Sequence, residues 1–506
     1  MNGIIAKPFP TAAPVNMAPT QAAGVSVNNN WLKVGIFFAA HGPLAFLMMS
    51  FEAIATAHAL FVLVAGTAWV FSKRHMERAA YVGAYITGAE VLWRMTDAQV
   101  PWEFGKYSMA VLFILAMVRA GRAKWAVLPL IYFLLLLPSS YMSFQLLSLD
   151  NFRKSLSFNL SGPFALMASV WFFSNLKLRI EQFQRMFLAL IGPVIGIASV
   201  TALITFTASS IRFSDGSNRI TSGGFGPNQV SAALGLGVLL AIFFLLDSKT
   251  ALALKVLMFG AMVLLGVQSA LTFSRGGLYM SAGGAILASL YLVRDTNSRI
   301  RIVLVVTAIF VVTNYVLLPQ LDSFTGGSLS TRFQDTDPTG RDEIIMADLE
   351  LWKENPVFGV GPGMGQRYRA NVMKYVAAHT EYTRLLAEHG VFGAVAIILL
   401  IAMAVRGMRR SNTIIGKALA AAMLGWSFLF MMIDAMRLVA PAFAFGLAYA
   451  TVLMGANLSL IPGRRVLNRA TYPFRPRPRR AMGASRPAQI AHDRRVTFGG
   501  GAGDGR

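Results

Sequence analysis

A chain of 506 residues that is 55% hydrophobic and only 14% charged, with a mean hydropathy of +0.55, is too apolar for a soluble domain of this length and reads as a polytopic membrane protein. The absence of cysteine excludes disulfides, Cys-ligated zinc, iron–sulfur clusters and thiol catalysis together. A net charge of +23 would suggest nucleic acid in a soluble protein, but here Lys and Arg gather in alternate loops, as membrane orientation demands, and no nucleic-acid partner is expected.

Residues 1–30 are Pro/Ala/Asn-rich and run too long before the first apolar stretch for a cleaved signal peptide; they are expected to form a disordered cytosolic tail. Apolar stretches of roughly the 20 residues that a span needs then fill residues 31–318 and 391–460. They number about fourteen, which predicts an all-α fold of about 12–14 transmembrane helices. The basic loops at 73–78, 119–124, 177–185, 294–301 and 406–410 fall on one side of that count, the cytoplasmic side. The tail at 461–506, with its PFRPRPRR run, is expected to be disordered, cytosolic and in contact with anionic membrane lipids.

Residues 319–390 interrupt this pattern as a polar segment on the opposite face, with seven Lys/Arg against ten Asp/Glu. Two helices are expected in this small cap. The first covers about 340–354, with Asp337 or Thr339 near its cap, Asp342 and Glu343 in its first turn, and Ile345, Leu349 and Trp352 on one face. Asn355 and Pro356 end it, and GVGPGMG makes a turn whose glycines permit close backbone approach. The second helix covers about 369–389 and runs into the next span.

Arginines on the outward face run against the orientation bias, and Arg212, Arg219, Arg275 and Arg341 are such violations. As a set they suit a diphosphate clamp, since guanidinium binds phosphate oxygens bidentately and keeps its charge at any working pH. The plainer alternative for any one of them is a snorkelling or salt-bridged side chain. His379 opens HTEYTRLL and on a helix would share a face with Tyr382, Thr383 and Leu386, where it could serve as general base on a sugar hydroxyl or be an ordinary surface histidine. His389 is expected to tolerate replacement. His41 and His58, inside apolar spans, are expected to hydrogen-bond between helices, and Glu90 and Arg94 to pair four residues apart.

Asp335 and Asp337 form a D-x-D, which would hold a metal against a diphosphate or simply cap the following helix. Two outward histidines ten residues apart make a poor metal site, and neither a phosphate-binding loop nor a dinucleotide fingerprint is present, so neither metal nor cofactor is expected. A transporter would want polar or Gly/Pro-broken helices meeting at mid-membrane in corresponding halves. Here the charges gather at one face.

GFGPNQVSAALGLGVLLAI, LTFSRGG, TGRDEIIMADLELWKENPVFGVGPGMG and HTEYTRLLAEHGVFG, in that order, resemble the bacterial O-antigen ligase and O-antigen polymerase superfamily over about residues 220–400. The pattern rests on Asn228, Ser274 to Gly276, Gly340 with Arg341, Asn355 to Gly361, and His379 with Glu388, Gly390 and Gly393. Thr380 departs from it, standing where many members have Asn or Ser. The resemblance implies a fold similar to the glycosyltransferase C class, in the bacterial inner membrane with its active site facing the periplasm. It further implies transfer, without metal or nucleotide, of a polyprenyl-diphosphate-linked glycan to a lipid A core sugar or to a second glycan. On that reading His379 is catalytic, Arg212, Arg219, Arg275 and Arg341 bind the diphosphate, and Asn228, Glu388 and Tyr382 support them.

Overall fold

The computed structural model describes residues 30–72, 75–121, 123–213, 216–335, 340–370 and 378–453. The expected tails, apart from Asn30, lie outside the described residues, as do Asp337 and Thr339. The chain is all-α and polytopic. It opens with α1 (Trp31–Ser50), α2 (Glu52–Ser72), α3 (Glu77–Met95) and α4 (Phe104–Ala120), followed by the short α5 (Val127–Leu134) and α6 (Ser140–Leu146). Next come α7 (Leu149–Ser174), α8 (Ile180–Thr207), α9 (Pro227–Leu246), α10 (Leu252–Leu271) and α11 (Gly276–Leu292). α12 (Thr296–Val311) continues through a π-helical turn at Val312–Leu317 into α13 (Leu318–Thr325). The polar segment holds α14 (Ser328–Gln334), α15 (Arg341–Glu354) and α16 (Gly365–Arg369), and α17 (Glu381–Arg410), α18 (Ile414–Ile433) and α19 (Ala440–Leu447) complete the bundle. Two three-residue strands, β1 (Lys177–Arg179) and β2 (Thr451–Leu453), pair in parallel with Leu178 opposite Val452.

Nine helices among the described residues are long and apolar enough to cross a membrane, where about fourteen were expected. The other five stretches are real elements of a different kind. Of the apolar stretches expected to span, one at 125–141 breaks into α5 and α6 and one at 438–459 holds the eight-residue α19, while α4 and α11 reach only 17 residues and α3 carries the Glu90–Arg94 pair. The boundary expected at residue 318 falls inside one continuous 30-residue helix, Thr296–Thr325.

Lipid tails are as apolar as leucine, so helices in a bilayer associate through close packing and interhelical hydrogen bonds rather than through hydrophobicity. α9 and α11 show both. A Cβ on Gly277 would lie 1.9 Å from the Ser231 carbonyl oxygen, so only glycine permits this crossing. Ser231 Oγ donates to the Ser274 carbonyl at 2.7 Å and accepts from Gly277 N at 3.1 Å, which ties the start of α11 to α9. The expected histidine bridges are present: the Tyr85 hydroxyl meets His41 Nε2 at 3.1 Å and His58 Nε2 at 3.0 Å, and Trp93 Nε1 donates to His58 Nδ1 at 2.9 Å, joining α1, α2 and α3. Glu90 and Arg94 pair at 2.8 Å as expected, and Arg94 also donates to the Arg437 carbonyl at 3.1 Å.

α15 caps on Gly340 and starts at Arg341, close to its predicted range, but the buried residues are Ile344, Asp348 and Leu351 rather than Ile345, Leu349 and Trp352. The register differs by one because Asp348 turns inward to pair with Arg369 and to accept from Thr383 Oγ1 at 2.9 Å. The second predicted helix is not continuous: α16 ends at Arg369 and α17 begins at Glu381, with Thr380 as its N-cap. The Thr380 side chain accepts from Thr383 N at 3.0 Å, the role that Asn or Ser would fill there.

α17 is itself broken at Gly390, whose φ of 58° and ψ of −133° are non-helical. The glycine turn docks into that break. Val360 N donates to the Ala387 carbonyl at 2.9 Å, Gly361 N to the Glu388 carbonyl at 3.0 Å, and Val391 N to the Pro356 carbonyl at 2.8 Å. A Cβ on Gly390 would lie 2.5 Å from the Val357 carbonyl oxygen, which requires glycine on steric as well as conformational grounds. The N-P-x-x-G-x-G run and E-x-G are therefore two halves of one backbone joint.

Candidate active site

At the end of the bundle where α9, α11 and α17 begin and α18 ends lies a cavity of about 650 Å³. Arg275, Arg332, Arg341, Asn228, His379 and Asp335 are among its lining residues. Arg275 caps α11 and reaches the cavity through an unusual turn. Phe273, fully buried and stacked on Phe213 at 5.4 Å, holds φ at 56°, a conformation that costs a bulky residue energy and persists only where packing enforces it. Ser274 Oγ donates to Asn228 Oδ1 at 2.8 Å, so the S-R-G turn is fastened to the first turn of α9.

Arg332 comes from the short α14. It is 5% exposed and donates from Nε to the Phe273 carbonyl at 3.2 Å and from Nη1 to Asp335 Oδ2 at 3.0 Å. Arg341 sits at the first position of α15, where the positive helix end adds to its charge. Burial lowers the Arg341 pKa from its usual value, Asp434 partly offsets this, and the like charges of Arg275 and Arg332 deepen it. Three guanidiniums face one carboxylate among the described lining residues, an imbalance that an anionic ligand would relieve.

His379 is half-buried, and its Nδ1 is buried without a hydrogen-bond partner. It precedes the N-cap of α17 and so lies on no helix face with Tyr382, Thr383 and Leu386, contrary to the expectation. Burial first, then the charges of Arg437, Arg341 and Arg369, lower its pKa to about 4. The imidazole is thus neutral and able to accept a proton throughout the physiological range. Arg437 anchors this segment from below, donating from Nη2 to the Ala378 carbonyl at 2.7 Å.

Of the residues expected at the site, the cavity brings together His379, Arg275, Arg341 and Asn228. Arg212 and Arg219 are exposed and line no part of it, and Arg219 Nε donates to the Gly224 carbonyl at 3.0 Å. Tyr382 donates its hydroxyl to the Phe428 carbonyl at 3.1 Å, fixing α17 against α18. Glu388 is buried against Arg384 at 2.8 Å and braces the helix break. Asp335 Oδ2 accepts from Arg332, and Asp337, its partner in the D-x-D, lies outside the described residues. Arg332 and Arg437 were not anticipated, although the topology expected from the charge pattern puts both on the same face as Arg275 and Arg341.

His389 differs most from its expected place. It is fully buried, with Nδ1 3.0 Å from Ser139 Oγ, and does not stand at a tolerant surface. His389→Ala should leave a cavity and an unpaired hydroxyl, lowering stability by about 2–4 kcal/mol. A fall in melting temperature of the detergent-solubilised protein would register this, and an unchanged temperature would contradict it.

A family model described as O-antigen ligase matches residues 260–398, the segment that carries Arg275, Arg332, Arg341 and His379. No curated protein matches the chain. The S-R-G turn, the G-R helix start and His379 all fall within the matched segment, so this part of the chain is similar to the O-antigen ligase family.

Proposed function

We propose that the protein transfers a glycan from a polyprenyl diphosphate carrier to an acceptor hydroxyl, as an O-antigen ligase does, on the periplasmic face of the bacterial inner membrane. The observation that carries this reading is the meeting of three arginines and a neutral, buried, unpartnered imidazole nitrogen in one cavity at a membrane end of the bundle. Arg275, Arg332 and Arg341 hold the donor diphosphate, and Arg212 and Arg219, outside the cavity, take no part. His379 Nδ1 takes the proton of the acceptor hydroxyl as that oxygen bonds to the anomeric carbon of the donor sugar. The bond from that carbon to the diphosphate breaks, and the carrier departs as polyprenyl diphosphate with its new negative charge on the arginines. The proton on His379 then passes to solvent. Water is kept from the same attack when the acceptor, positioned first, fills the space beside the imidazole.

The ligase takes a lipid A core sugar as acceptor and the polymerase a second carrier-linked glycan; a deletion strain separates them. Loss of long chains from lipid A alone fits the ligase, and loss of chain length on carrier and acceptor alike fits the polymerase. Orientation is tested by reporter fusions active only in the periplasm. A fusion near residue 365 should be active and fusions near 297 and 409 silent, because Lys and Arg crowd the latter loops. A cytoplasmic signal near 365 would sink the mechanism, since the site would then face away from the carrier-linked donor.

A further inference from the structure

The clamp arginines are already engaged. Arg332 gives Nη1 to the Asp335 carboxylate at 3.0 Å, and Arg275 gives Nη1 to the Arg332 carbonyl at 3.4 Å and to the Asp335 carbonyl. Two guanidiniums from separate elements thus converge on one residue, at the C-terminal end of α14 where helix carbonyls favour positive charge. The Asp335 side chain is 29% exposed where that of Arg332 is 6% exposed, so the acid is the member of the pair that solvent or a ligand reaches. It is also the sole carboxylate among the described lining residues.

Resting on the reading of this cavity as the donor site, we infer that Asp335 is the resident counter-ion of the clamp, displaced when the donor diphosphate arrives and restored to Arg332 when the carrier leaves. A carboxylate brings one negative charge and a diphosphate diester two, so the donor wins the exchange. Transfer frees a terminal phosphate and raises the charge of the carrier further. Without a competitor the spent carrier would hold the arginines more tightly than the donor does, and each turnover would end in product inhibition. Asp335 offsets this by re-forming its ion pair as the carrier leaves. It never touches the reacting carbon, so it acts on affinity and release rather than on the chemical step.

The test is the binding of farnesyl diphosphate to the full-length protein in detergent, titrated calorimetrically at a fixed temperature below the unfolding transition and read as the dissociation constant. At that temperature wild type and variants are folded, so a lowered melting temperature does not obscure it. Wild-type protein should bind, and Arg275→Ala should not; failure of wild type to bind any prenyl diphosphate would overturn the donor-site reading itself. Given wild-type binding, Asp335→Asn keeps the shape and the main-chain carbonyl but removes the charge. It should bind farnesyl diphosphate about 10-fold more tightly and be more strongly inhibited by it during transfer. Asp335→Glu, which keeps the charge, should stay within about threefold of wild type. Unchanged or weaker binding by Asp335→Asn would overturn the counter-ion role and leave Asp335 as a structural partner of Arg332.

Discussion

His379→Ala should lower the rate of glycan transfer by about 10² to 10⁴, the usual contribution of a positioned general base. Donor binding should persist, because the proposal gives the diphosphate to Arg275, Arg332 and Arg341 rather than to the imidazole. The pH profile adds a signature that a structural histidine would not give. The neutral imidazole is the active form, so activity is lost as pH falls through its pKa. In the free protein that pKa is held at about 4 by burial and by Arg437, Arg341 and Arg369, so the acid limb of kcat/KM should lie near pH 4. A bound diphosphate offsets those positive charges and favours protonation, so the acid limb of kcat should stand at higher pH than that of kcat/KM. Superimposed limbs would mean that the titrating group does not sense the donor, and His379 would lose its assignment as base.

Arg275→Ala should reduce transfer by about 10² to 10³, the typical cost of one fixed donor in a water-poor site where charge develops. Arg275→Lys should recover little of this, because an ammonium keeps the charge but not the planar fork. Arg332→Ala should do comparable harm by two routes, removing its own positive charge and releasing α14 from the Phe273 carbonyl. Purified, folded Arg275→Ala protein that transfers glycan at the wild-type rate would make the residue structural.

Part of this candidate site could be read from the chain because arginine is uncommon in loops expected to face outward. Arg275 and Arg341 stand out for that reason, and the S-R-G and G-R contexts put each at a helix start. Arg332 escapes the same logic only because α14 is seven residues long, too short for an apolar period to reveal where the side chain points. Arg437 is hidden by its place between two apolar runs that read as consecutive spans. Arg212 and Arg219 break the same expected pattern and yet stay outside the cavity, so charge against the orientation bias does not by itself locate a pocket.

The helix around His379 was misread for a local reason. The apolar pattern of LLAEHGVFGAVAIILL runs on without a break, so periodicity alone cannot show that Thr380 starts the helix or that Gly390 interrupts it. Both depend on partners distant in sequence: Asp348 accepting from Thr383, and the Val357 carbonyl against Gly390. His389 was misplaced for the same reason, since only the fold brings Ser139 beside it. Pairs within one helix turn, such as Glu90 with Arg94, were legible because their spacing alone sets their contact.

The central claim is that His379 and the arginines together move a glycan from a lipid diphosphate to an acceptor without help from a metal. It is tested most directly by incubating purified protein with carrier-linked glycan and acceptor in the presence of EDTA, comparing wild type with His379→Ala. The account predicts undiminished transfer by wild type in chelator and transfer lower by at least about 10² in the variant. Full activity in His379→Ala, or wild-type activity that EDTA abolishes and added metal restores, would contradict it.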